Sequence, residues 1–384
     1  MTGILPLVSA NSHSNRNGSD SYDAAAANRL TSLDSLRGLA ALSVVACHYI
    51  IALQDTGFGR FAWQWLWIPP FTLLTTAFGS VVLFFVLSGY VLALSLLRDG
   101  GTGWGRFALR RLLRIWPPYA AVILASFAIC HVALPSDAAL PPPLSGAWHG
   151  SDITLANLCD ELLMVTSRIN LDVVGWSLVH EMRISLIFPL LLLFLRRAPK
   201  TTMALAIGLH VASSDGPTWL SALLPDTAAY IVYFVAGAWL ALNRGRLIEL
   251  KWGAPLARIS LFAIALLLLS VPGNEAWSGI FAGVGATLMI AVVTVSPGIV
   301  RALSAQWCAF LGRVSYSLYL THVVVLLTLV RLLGNLLPVW IILLIAVPII
   351  PIVAAAGYRY LEQPSIEIGR AVSRRFLQHR LRTA

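Results

Sequence analysis

Leu33-Asp-Ser-Leu-Arg37-Gly-Leu-Ala-Ala-Leu-Ser-Val-Val-Ala-Cys-His48 is apolar enough to cross a bilayer, yet it carries an arginine at its start and a histidine in its middle. In hydrocarbon the backbone must satisfy its own polar groups, so such a run is a helix. The spacing from Arg37 to His48 is about three helical turns, which puts both side chains on nearly the same face. At ~1.5 Å per residue His48 lies about 16 Å beyond Arg37, close to the bilayer centre. Ionisable groups at that depth are costly and mark functional sites.

Working outward, the 384-residue chain is 58% hydrophobic and 11% charged, which identifies a polytopic membrane protein. Apolar runs at 36–54, 76–97, 115–134, 176–195, 201–213, 227–243, 255–272, 277–296, 308–332 and 338–361 predict an all-α bundle of about ten transmembrane helices. The fifth run is the shortest. All but four of the 27 Lys and Arg residues fall in alternate loops and the two ends. The exceptions are Arg60, Arg168, Arg183 and Arg331. The positive-inside rule then places both termini in the cytoplasm. It also explains the formal charge of +10 without invoking nucleic acid as a partner.

Residues 1–30 are rich in Ser, Asn and Ala and lack the apolar core of a signal peptide. They read as a disordered cytoplasmic lead, 31–366 as the transmembrane domain and 367–384 as a basic cytoplasmic tail. Cys47, Cys130, Cys159 and Cys308 are scattered, without a Cys-x-x-Cys or Cys/His cluster. That pattern indicates neither a zinc site nor a disulfide framework.

Four more segments carry polar chemistry. Arg111-Leu-Leu-Arg114-Ile-Trp-Pro-Pro-Tyr119 sits at the cytoplasmic mouth of the third span. Arginine forks there suit a phosphate-rich ligand, although by charge alone ordinary positive-inside anchoring accounts for them better. Ser88-Gly89 lies in the second span, where small residues admit a neighbouring helix or a thin ligand arm. Trp176-Ser177-Leu-Val-His180-Glu181-Met-Arg183 opens the fourth span, with Ser177 and Glu181 one turn apart on one face. Glu181 is a functional carboxylate or half of an ion pair with Arg183 or another helix's arginine. Ser315, Tyr319 and His322 share a face of the ninth span, and His322 reaches mid-membrane. A lone histidine there is a packing residue; beside His48 it forms part of a polar pathway. Phe61, Trp63, Trp65 and Trp67 form an external aromatic run that suits an interfacial belt or sugar stacking.

Taken together, these segments resemble the acyltransferase-3 membrane family from about Leu30 to Pro364. Arg37 to His48 is similar to its R-x10-H signature and Phe84-Phe-Val-Leu-Ser-Gly89 to its F-F-x-L-S-G segment. Arg111 to Tyr119 matches R-x-x-R-I-x-P-x-Y, and Trp176 to Glu181 matches W-[ST]-L-x-x-E. Ser315 to His322 matches S-Y-S-[LI]-Y-L-x-H, and Glu362-Gln-Pro364 matches the closing E-x-P. The resemblance implies an O-acyltransferase of the bacterial inner (plasma) membrane. Its donor is acyl-CoA, with acetyl-CoA the form the resemblance favours, and no metal takes part. Its acceptor is a hydroxyl of an extracytoplasmic or lipid-linked carbohydrate.

On that reading His48 is the general base, Arg37 holds a CoA phosphate or orients its arm, and Glu181 binds the acceptor or orients His48. Arg111, Arg114 and Tyr119 contact the nucleotide end, while Ser88 and Gly89 line the thioester arm. Ser177, Tyr319 and His322 shape the tunnel. A proton-coupled transporter or polysaccharide exporter is the rival class, since ten spans with buried His, Glu and Arg also suit a carrier. The absence of evident broken inverted repeats weighs against it.

Overall fold

The computed structural model describes residues 12–54, 56–98, 103–132, 144, 148, 153–217, 224–250 and 252–383, and every regular element among them is helical. In chain order the α-helices are α1 (Ser12–Leu53), α2 (Gly57–Leu66), α3 (Phe78–Arg98), α4 (Trp104–Val132) and α5 (Leu155–Leu162). They continue with α6 (Gly175–Arg197), α7 (Pro199–Ser214), α8 (Ile231–Leu242), α9 (Arg244–Glu249) and α10 (Pro255–Leu269). The last five are α11 (Glu275–Val295), α12 (Pro297–Leu303), α13 (Gln306–Leu333), α14 (Val339–Gly357) and α15 (Gln363–Thr383).

A helix occupies each of the ten expected places. Seven are long and apolar enough to cross a membrane: Thr31–Leu53, Phe78–Arg98, Trp104–Val132, Gly175–Arg197, Glu275–Val295, Gln306–Leu333 and Val339–Ser373. Asp226–Leu242 and Pro255–Leu269 are apolar but shorter, and α7 has only 16 residues. The expected lead divides: residues 12–30 continue α1 as helix, and 1–11 lie outside the described residues. The last span and the tail form one rod, joined by a π turn at Tyr358–Glu362.

α1 lies along α13, its most extensive neighbour. Two glycines explain how closely they approach. A Cβ on Gly38 would lie 2.4 Å from the Leu311 carbonyl carbon, and one on Gly312 would lie 2.6 Å from that of Asp34. The two backbones therefore touch, as small residues allow between membrane helices. This contact sets Arg37 and His48 of α1 against the polar face of α13. α3 and α8 repeat the device, with Gly89 against Phe234 and Gly237 against Val86.

The buried apolar side chains fall into two clusters. One joins the second half of α1 to α4, α13, α14 and the start of α6. The other joins the first half of α1 to α3, α8, α10, α11 and the end of α6. α1 and α6 belong to both, so a seam runs between the clusters along these two helices.

One end is capped from outside the spans. Trp148 is buried, its indole Nε1 donating to Ser126 Oγ (2.8 Å) and to the Leu171 carbonyl (3.0 Å). Arg331 donates to its carbonyl at 2.9 Å. The proline run 141–143 lies outside the described residues. Phe61, Trp65 and Trp67 are exposed on and just after α2, the placement an interfacial belt requires.

Candidate active site

A cavity of about 210 Å³ occupies the seam between the two clusters. Asp34, Arg37, Arg114, Arg313 and Glu362 line one end and Ser177 and Tyr319 the other, with Ser88, Arg111 and Glu181 between. The charged end is its mouth: Asp34, Arg114 and Arg313 are exposed there. Arg37 pairs with Asp34 one turn earlier at 3.1 Å.

Halfway along, Glu181 Oε1 accepts hydrogen bonds from Ser88 Oγ and Arg111 Nη2, both at 2.9 Å. Arg111 also donates to Ser185 Oγ from Nη2 at 3.2 Å and from Nε at 3.4 Å. Ser185 follows Glu181 by one helical turn, so a single face of α6 holds the guanidinium. The acid thus pairs with another helix's arginine rather than with Arg183. Arg183 donates instead to the carbonyls of Met164 (3.0 Å) and Val165 (2.5 Å). Arg111 is consequently committed to an interior ion pair, and Arg37 and Arg114 are the cations expected for phosphate that remain at the mouth.

At the inner end Ser177 Oγ and Tyr319 OH lie 2.7 Å apart, and both reach the Val174 carbonyl at 3.2 Å. One turn further along α13 stands His322, packed edge-on to His48 with ring centroids 5.0 Å apart. His322 Nδ1 lies 2.7 Å from the Tyr319 carbonyl and 3.1 Å from that of Leu318. A carbonyl only accepts, so Nδ1 carries a proton and Nε2 of the neutral ring is an acceptor. Nε2 lies 3.2 Å from His48 Nδ1, which also faces the Val44 carbonyl at 2.9 Å. His48 Nδ1 must then be the donor, shared between the two. The lone pair of His48 is left on Nε2. With both rings neutral, this proton arrangement satisfies all the contacts.

Seven of the eleven expected site residues line this cavity: Arg37, Ser88, Arg111, Arg114, Ser177, Glu181 and Tyr319. His48 and His322 pair just beyond Tyr319, whose ring centroid is 6.1 Å from that of His322. Gly89 and Tyr119 are not brought to it. Gly89 is the contact with the Phe234 backbone. Tyr119 is buried and donates to the Glu161 carbonyl at 3.1 Å. His48 and Glu181 make no direct contact. Glu362 accepts from Ser317 Oγ at 2.8 Å instead of pairing with an arginine. Ser185 was not anticipated, although its one-turn spacing from Glu181 is visible in the sequence. Among the described residues no cluster of His, Cys, Asp and Glu could hold a metal ion.

Outside the spans, two acids sit in the cap over the inner end. Glu161 is buried on α5 and accepts from the Asn170 amide at 2.8 Å. Burial raises its pKa to about 7 despite that bond. Asp172 is fully buried three residues before α6, with the Val174 amide facing its carboxylate. Its pKa is pushed well above the usual carboxylate range, chiefly by burial.

A family model described as an acyltransferase domain, of the acyltransferase-3 type, matches residues 30–358. The "Acyltransferase MdmB" of Streptomyces mycarofaciens is 34% identical over 179 residues, 44% of this chain and 41% of that protein. The chain therefore aligns with well under half the length of that relative. No solved structure matches.

Proposed function

This chain belongs to the acyltransferase-3 family, and from that premise we propose that it moves an acyl group, acetyl by preference, from cytoplasmic acyl-CoA to a hydroxyl of an extracytoplasmic or lipid-linked carbohydrate. The observation that carries the reading is the His48–His322 pair just beyond the inner end of a cavity with a cationic mouth. The cavity is too small for a nucleotide, since drug-sized ligands need roughly 300 Å³ or more. The nucleotide phosphates stay at Arg37 and Arg114, and the thin pantetheine arm enters past Ser88. The ~16 Å from Arg37 to His48 is about the half-thickness of a bilayer. The thioester thus arrives at mid-membrane while the nucleotide never leaves the cytoplasmic side.

His48 Nε2 takes the proton of the acceptor hydroxyl as the oxygen attacks the thioester carbonyl. The tetrahedral intermediate collapses to the ester, the carbon–sulfur bond breaks, and the thiolate leaves with the proton from His48. His322 acts through His48, holding its proton on Nδ1. The Arg111–Glu181 pair keeps α4, α6 and α3 in register around the arm, and the Ser177–Tyr319 pair bounds the reaction chamber.

The test uses purified protein in proteoliposomes with acetyl-CoA radiolabelled in the acetyl group and glycan acceptors. Wild type is expected to release CoA and label the acceptor, while His48→Ala does neither and elutes as wild type on size exclusion. Undiminished transfer by His48→Ala would overturn the assignment of the base. Intact thioester with every acceptor tried would count against the acyltransferase reading and for a carrier.

A further inference from the structure

A second and much larger hollow lies on the other side of α6. It is an open groove of about 1160 Å³ between α7, α8 and α11, with Trp239 on its wall. Small residues on its wall leave it room, Ala204 on α7 and Ala236 on α8, while Gly279 and Gly283 on α11 admit the Tyr233 ring beside it. Along α11 it runs from Gly279 to Ala291, which is about 18 Å at ~1.5 Å per residue. That length is close to one leaflet, half of the roughly 30 Å hydrocarbon thickness.

The walls are apolar and the charge is confined to one end. Arg196 is in the last turn of α6, Lys200 in the first turn of α7 and Arg246 on α9, and all three are exposed at the groove's rim. Among the described residues none of the three forms an ion pair, and Glu249, on the same short helix as Arg246, does not neutralise it. This rim is on the same side of the bundle as the cavity's cationic mouth. α6 passes Arg111 at Ser185 and Trp104 at Leu186 before it reaches Arg196. A one-leaflet apolar trough with three cations at its membrane-surface end is complementary to one kind of molecule.

We propose that the groove is a binding site for an anionic phospholipid, with a hydrocarbon chain along α8 and α11 and the phosphate among Arg196, Lys200 and Arg246. Burial of the chain accounts for the apolar walls, and arginine and lysine at the rim supply phosphate recognition. A zwitterionic lipid brings a compensating ammonium to the same three cations and gains less from them. The site is separate from the His48 cavity, and its occupancy does not depend on the reaction assigned there.

Full-length protein is reconstituted in phosphatidylcholine nanodiscs doped with phosphatidylglycerol or phosphatidylcholine carrying a diazirine at mid-chain. After photolysis, labelled peptides are mapped by mass spectrometry. The anionic probe is expected to label α7, α8 and α11 at least fivefold more than the zwitterionic one. R196A/K200A/R246A should bring the two probes level, and Ala236→Phe should reduce labelling of the groove by both. Equal labelling of wild type by the two probes overturns the proposal. So does labelling spread evenly over the apolar surface, or an undiminished preference in the triple variant. The wild-type comparison decides the matter even if a variant fails to fold.

Discussion

The cavity beside Glu181 measures about 210 Å³ and has four arginines and three carboxylates in its wall, whereas the groove beside Trp239 measures about 1160 Å³ and has three cations at one rim. In the cavity each interior charge is met by a partner from another helix, as Arg111 is by Glu181 and Ser185. In the groove nothing interior is charged, and the cations stand where water or a headgroup reaches them. Polar groups held inside a bundle need exact neighbours because hydrocarbon supplies none. An apolar trough needs only shape, because lipid tails fill what the protein leaves open. The cavity is accordingly the part of the molecule most sensitive to single substitutions, and the groove the part most tolerant of them.

The largest expected effect breaks the cavity's chemistry and leaves the groove untouched. His48→Ala should lower acyl transfer by about 10²- to 10⁴-fold, the usual worth of a positioned base, while photolabelling of the groove by the anionic lipid stays at the wild-type level. His322→Phe removes the acceptor that shares the His48 proton. A smaller fall in kcat is expected, with KM for acetyl-CoA unchanged; a KM effect alone would return His322 to a packing role.

Next in size is a stability effect. Removing one partner of a buried ion pair costs roughly 3–5 kcal/mol, so Glu181→Ala should lower the thermal midpoint in detergent sharply. The double variant E181L/R111M should recover much of that loss, since it leaves no charge stranded. If E181A unfolds like wild type, the pair is not the clamp described above. The contrasting control is Lys200→Ala at the groove rim, expected to shift the midpoint hardly at all.

The smallest effect concerns the cap. Folding raises the Glu161 pKa from 4.5 to about 7, so the folded state holds this proton more tightly than the unfolded chain. Its contribution is therefore fully present below pH 4.5 and is lost as pH rises through about 7. Asp172 pushes in the same direction. Amide exchange in residues 153–174 should be slower at pH 5 than at pH 8 after correction for intrinsic rates. Glu161→Gln should flatten that difference; an unaltered profile in the variant would assign the effect elsewhere.

Much of the cavity was legible in the sequence because helical periodicity is a local property. Arg37 and His48 share a face by counting alone, as do Ser177 and Glu181, and Ser315, Tyr319 and His322. What was not legible was which face meets which. The Arg111–Glu181 bond joins positions 70 apart and the His48–His322 contact joins positions 274 apart. Neither spacing carries a periodic signal. Gly89 and Tyr119 show the converse. Both stand in motifs with polar neighbours, yet one is consumed by contact with Phe234 and the other by the core beneath Glu161.

The sequence alone determined that this is an all-helical membrane protein and which polar residues of a helix share a face. Those properties follow from hydropathy and a fixed rise per residue, and neither depends on neighbours. Only the tertiary structure decided the pairing: the glycine contact of α1 with α13, the arginine that neutralises Glu181, the contact between His48 and His322, and the open trough along α11. Each is set by how helices distant in sequence pack side by side, and packing between helices leaves no period in a single chain to be read.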